Sequence, residues 1–91
     1  GGTAELFKYL SKAIKYPVIA QENGIQGRVV CSFVVNRDGS IVDIQVMRGV
    51  DPSLDKEAVR VISEMPKWKP GEQRGKPVRV RFILPVQFRL Q

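Results

Sequence analysis

The sequence predicts an α+β domain of order α-β-β-α-β: a three-stranded sheet in the order 2-1-3, the third strand at the edge, with two helices on one face. Three observations predict it. The apolar spacing changes from the helical three-and-four pattern to strict alternation and back along the chain. A turn at Asn36-Arg37-Asp38-Gly39-Ser40 separates two alternating runs, the signature of a hairpin. The longest alternating run carries Pro85, which a central strand does not tolerate because proline donates no backbone hydrogen bond.

Thr3 and Glu5 suit a helix start, Leu6, Leu10, Ala13 and Ile14 share one face, and Pro17 ends the helix at or before Tyr16. Lys12 and Lys15 suit its C-terminal end. A connector with Asn23-Gly24 and Gly27 follows. In the first strand Val29, Cys31, Phe33 and Val35 face one side, and Val30, Ser32 and Val34 the other. The second strand, Ile41 to Arg48, sets Val42, Ile44 and Val46 against Ile41, Asp43, Gln45 and Met47. Asp51-Pro52 opens the second helix, an N-cap acceptor followed by proline in the first turn. Leu54, Ala58, Val61, Ile62 and Met65 form its apolar face, and Asp55 and Glu57 offset the helix dipole. Pro66 stops it. Residues 66–77 read as a loop whose single tryptophan, Trp68, folds back onto the core.

The last strand places Val78, Val80, Phe82, Leu84, Val86, Phe88 and Leu90 on one face. Arg79, Arg81, Ile83, Pro85, Gln87 and Arg89 fall on the other. A right-handed crossover through the second helix makes the second and third strands parallel and puts the first between them. The N–H and C=O of a strand residue point to one lateral side, so Pro85 assigns the odd-numbered backbone groups to the open edge.

The 91 residues suit one domain, read as 1–91 and as an excised one, without a transmembrane helix or linker. The chain lacks histidine and has one cysteine, which removes imidazole bases, Cys-His nucleophile pairs, intrachain disulfides and thiolate zinc sites. Neither a metal, a cofactor nor a catalytic residue is indicated, and an enzyme is not expected. Cys31 reads as a small buried hydrophobe. The net charge of +6 is confined to residues 67–91, where Lys67, Lys69, Arg74, Lys76, Arg79, Arg81 and Arg89 face Glu72 alone.

Tyr16-Pro17, Ala20, Gly24 and Gly27 are followed by Val29, Phe33, Asp38-Gly39 and Val46. Leu54-Asp55, Ala58, Trp68, Pro70, Gly75-Lys76-Pro77-Val78, Leu84-Pro85-Val86 and Phe88 complete the series. Taken in order, these residues resemble the C-terminal domain of TonB-type energy transducers, from Tyr16 onward. The resemblance implies a periplasmic domain of a Gram-negative inner-membrane protein, coupled through a missing N-terminal part to an ExbB–ExbD motor. It further implies binding of the TonB-box segments of outer-membrane receptors by strand addition to the last strand. Val78, Arg79, Val80, Arg81, Phe82, Ile83, Gln87 and Arg89 are the expected contacts, with Tyr16 and Pro17 as a secondary contact. Appendage to a sensor or membrane peptidase is an alternative within the family.

Two other readings compete. Lys and Arg on an edge strand also deter edge-to-edge aggregation, and an open edge also permits a homodimer. A basic module with one helix-covered sheet suits nucleic acid. Against that, Phe82 and Phe88 are expected on the core face, so no aromatic pair is offered for base stacking.

Overall fold

The computed structural model describes residues 3–91, the side chains of residues 3–5 and 7 excepted. The expected Thr3 cap and Glu5 dipole contact lie outside that description. In chain order the elements are α1 (Thr3–Ala13), α2 (Val18–Glu22), β1 (Gly27–Val35), β2 (Ile41–Arg48) and α3 (Pro52–Ser63). The chain continues with β3 (Gly71–Gln73), β4 (Lys76–Val78) and β5 (Val80–Phe88).

The expected order 2-1-3 is the observed one: β2-β1-β5, with β1 antiparallel to both neighbours and the other two therefore parallel. Central position gives β1 the core. Val29, Cys31, Phe33 and Val35 are completely buried, as are Leu54, Ala58, Val61 and Ile62 from α3 above them. Leu84, Val86 and Phe88 of β5 close the same apolar cluster, with Leu10 of α1 and Ala20 of α2. Asp51 caps α3 as expected, its Oδ2 accepting the Ser53 N–H at 3.0 Å, with Pro52 in the first turn.

Four expectations need correction. The connector after Pro17 contains a third helix, α2, so the sheet carries more than two helices. Pro17 is its extended N-cap (ψ 134°), and Gly24 ends it at φ 64°. There the Ile25 N–H donates to Ala20 C=O and the Gly24 N–H to Gln21 C=O, the paired bonds of a Schellman stop. Five residues are too few for a 3.6-residue period to show, which is why alternation analysis misses it.

Second, β2 does not alternate strictly. Ile41 and Ile44 both pack on the core, although one is odd and the other even. The register on β1 slips between Ser32 and Val34, at a bulge that contains Asp43 with φ 51°. Third, the supposed loop 66–77 contains the β3–β4 hairpin, turned by Arg74 (φ 54°) and Gly75 (φ 75°). The long last strand is thereby divided: Val78 closes that hairpin, Arg79 stands between the strands, and β5 begins at Val80.

Fourth, Glu57 does more than offset a dipole. It is only 9% exposed. Its Oε2 accepts the Lys15 N–H at 2.7 Å, and both its oxygens accept from the Arg60 guanidinium at 2.7 and 2.8 Å. Arg60 Nη2 also donates to the carbonyl of Ala13 at 2.9 Å. The carboxylate thus ties the end of α1 to α3, and the Arg60 bonds hold its pKa below the ordinary glutamate value against the opposing effect of burial.

Candidate partner-binding site

β5 pairs with β1 on one side only; among the described residues no segment pairs with its other side. Nine residue pairs run without a slip from Gly27↔Phe88 to Val35↔Val80, and Val30↔Pro85 sits among them. In an antiparallel ladder successive residues aim their backbone groups to opposite sides. A proline within an unbroken register therefore belongs to the outward set. The odd-numbered groups of Arg81, Ile83 and Gln87 then point to the open edge, while Val80, Phe82 and Leu84 bond to β1; Arg79 and Arg89 flank the strand.

The two faces beside this edge differ. On the helix side Leu84, Val86 and Phe88, in the second half of β5, are buried in the cluster shared with Leu10, Ala20 and the apolar residues of α3. The first half is less covered: Val80 is half-buried and Phe82 is 37% exposed, contrary to the expectation of a core position. Phe82 packs on Trp68 (ring centroids 5.1 Å) and Phe33 (6.0 Å), and Trp68 meets Phe33 edge-on at 5.4 Å. Trp68 folds back as expected, held by its N–H donating to the Gly39 carbonyl at 2.9 Å.

The opposite face of the sheet is covered over the centre of β1, where Ser32 and Val34 are buried, and exposed along β5. Arg81 lies across it, donating to Ser32 Oγ at 3.0 Å and pairing with Asp43. Hydrogen bonds from Gln45 and then Arg81 lower the Asp43 pKa. Ile83 on the same face is 67% exposed, and no aromatic residue joins it there. β1 and β5 thus offer no aromatic pair for base stacking on this face; the exposed Phe82 lies on the other.

Tyr16 and Pro17 lie at the far end of β5. Tyr16 donates its hydroxyl to the Ile25 carbonyl and packs edge-on against Phe88 at 5.7 Å. With Gln21, Arg89, Leu90 and Gln91 it lines a shallow cleft. The structure thus brings Val80 to Arg89 together along one edge, with Tyr16 at its end. Phe33 and Trp68 were not expected beside the site; the exposure of Phe82, which joins them to it, depends on where the core cluster ends.

The sequence matches the family described as Gram-negative bacterial TonB protein C-terminal over residues 12–90. The chain belongs to the TonB C-terminal family. TonB proteins of Helicobacter pylori and Pseudomonas aeruginosa are 46% and 43% identical to it over 39 and 54 residues, 43% and 59% of this chain and 14% and 15% of theirs. A Vibrio cholerae TonB protein is 30% identical over 78 residues, 85% of this chain and 32% of its own. The chain thus spans a third or less of the length of these curated relatives. Two NMR solution structures of the Helicobacter pylori TonB C-terminal domain share the fold. The shorter has a TM-score of 0.72 at 27% identity, covering 94% of this chain and 90% of its own. The longer has 0.71 at 29%, covering 92% and 76%. The TonB C-terminal domain is a non-enzymatic transducer domain of Gram-negative bacteria, which implies a periplasmic location. No helix among the described residues is long and apolar enough to cross a membrane.

Proposed function

We propose that this domain is the receptor-binding end of a longer energy transducer, and that it takes the TonB-box segment of an outer-membrane receptor as an added strand beside β5. One observation carries the reading: β5 is a nine-residue strand with one lateral side unpaired. Main-chain pairing along such an edge gives affinity with little demand on sequence, and alternate side chains add selectivity. Arg79 and Arg81 favour acidic residues beside the apolar part of that segment. An N-terminal membrane anchor and linker would transmit force from an ExbB–ExbD motor driven by the proton gradient. Several hydrogen bonds loaded along one edge share a shearing pull. Titration with a receptor TonB-box peptide, followed by backbone amide shifts, is expected to perturb Arg79, Arg81 and Ile83. Shifts confined to the β1–β2 hairpin would refute the reading. Analytical ultracentrifugation of the free domain tests the competing use of the same edge by a second copy.

A further inference from the structure

The open edge is interrupted twice, and the interruptions share a parity. Pro77 pairs with Glu72 in the β3–β4 hairpin, whose two-residue turn at Arg74-Gly75 makes Gln73↔Lys76 the bonded closing pair. Glu72↔Pro77 is then a non-bonded pair, and Pro77 aims its nitrogen away from β3. The segment leading into β3 is tied to the β1–β2 turn by the Trp68 backbone N–H on the Gly39 carbonyl, which argues for β3 on the β1 side of the strand. Pro77 and Pro85 therefore both face the outer edge. Between them the edge offers the donors of Arg79, Arg81 and Ile83. At each proline it offers no donor and places ring carbons where a partner carbonyl would sit.

Within this interval the apolar burial of the helix-side face also ends, between Leu84 and Phe82. Phe82 is exposed there on the Trp68 and Phe33 rings. Cross-strand neighbours share a face, so an added residue opposite Phe82 lays its side chain on that aromatic shelf, and its neighbours face Arg81 and Ile83. From Leu84 onward the same face is already filled by Leu84, Val86 and Phe88, which are buried in the core cluster.

Resting on the strand-addition reading above, we propose that the two prolines delimit the docking window. The partner pairs as a short extended segment of about five residues over Arg79–Ile83, with one large apolar side chain seated on Phe82 and Trp68. Gln87 and Arg89 lie outside the window.

The test uses four synthetic threonine-rich peptides, of five and nine residues, each with leucine or alanine near the centre, titrated into the 91-residue domain and read by backbone amide shifts. In the wild type, shifts are expected at Arg79, Arg81 and Ile83 and not at Gln87 or Arg89. Lengthening the peptide is expected to change affinity by less than about threefold, because the added residues find no continuous ladder. In Pro85→Val, an exposed position, shifts extend to Gln87 and lengthening gains about tenfold. Leucine over alanine gains about tenfold in the wild type and about twofold in Phe82→Thr, a change at a partly exposed site that leaves the buried cluster intact. Equal shifts at Gln87 and Arg81 in the wild type, or a leucine preference unchanged in Phe82→Thr, would overturn the window while leaving strand addition standing. No response on β5 from any peptide would remove the strand-addition reading and the window with it.

Discussion

Glu57→Gln isolates the charge of a single carboxylate that joins two helices. The wild-type side chain accepts three hydrogen bonds, from the Lys15 N–H and from Arg60 Nε and Nη2. Glutamine keeps one carbonyl oxygen but turns an NH₂ group toward a donor, so at least one bond is lost and the others lose their charge assistance. Hydrogen bonds to a charged group contribute about 1.5–3 kcal/mol each in buried settings. Arg60 is about one-third exposed, so solvent screening reduces its share. The expected loss is about 2 kcal/mol at neutral pH. For a domain of this size, with a urea slope of about 1 kcal/mol/M, the unfolding midpoint falls by about 2 M. The pH dependence checks the cause. The folded-state pKa of Glu57 is lowered, so its contribution is complete above the unfolded glutamate value of about 4.3 and is lost as pH falls through the folded value. Urea melts of both proteins across pH 7 to 2.5 should therefore converge at the acid end. A constant gap over the whole range, or a gap under about 0.5 kcal/mol at pH 7, would show that the carboxylate charge does not hold α1 to α3.

Two glycines of left-handed conformation separate conformational strain from collision. At Gly39 (φ 87°) a Cβ would fall on the Trp68 carbonyl oxygen, whereas at Gly75 (φ 75°) it meets nothing. Gly75→Ala should cost about 1 kcal/mol and Gly39→Ala about 3 kcal/mol or more in thermal or urea unfolding. Cys31 is fully buried, and burial pushes its thiol up to about 11. A thiol reagent should label it at pH 8 only as fast as the domain unfolds, and immediately in 6 M guanidinium. Arg81→Ala breaks its pairing with Asp43 and Ser32, but both ends of the ion pair are well exposed. It should leave the urea unfolding midpoint nearly unchanged.

Much of this was legible in the sequence because period and punctuation act locally. The alternation around Phe33 and the Asp51-Pro52 start report a strand and a helix whatever surrounds them. The missing N–H of Pro85 excludes a central place for its strand. The short α2 was readable only through its brackets, Pro17 and Gly24, since five residues carry no period. The bulge at Asp43 left no trace in the pattern of β2, because an inserted residue changes which side chains face inward without changing composition. Glu57 looked like any charge in a first helical turn; what makes it different is Lys15, far away in sequence and 2.7 Å away in space.

The candidate site divides in the same way. Its basic flank, its alternation and its edge character are properties of the chain, since charge, period and the absence of a proline N–H are set by covalent structure. Tertiary structure decided which part of the edge lies bare. Leu84 is buried in the core cluster whereas Phe82 is not, and Trp68, pinned to Gly39, covers the Phe82 ring only in part. Burial is a relation between distant segments, so the exposed ring of Phe82 could not be read from a pattern in which it looks identical to Phe88.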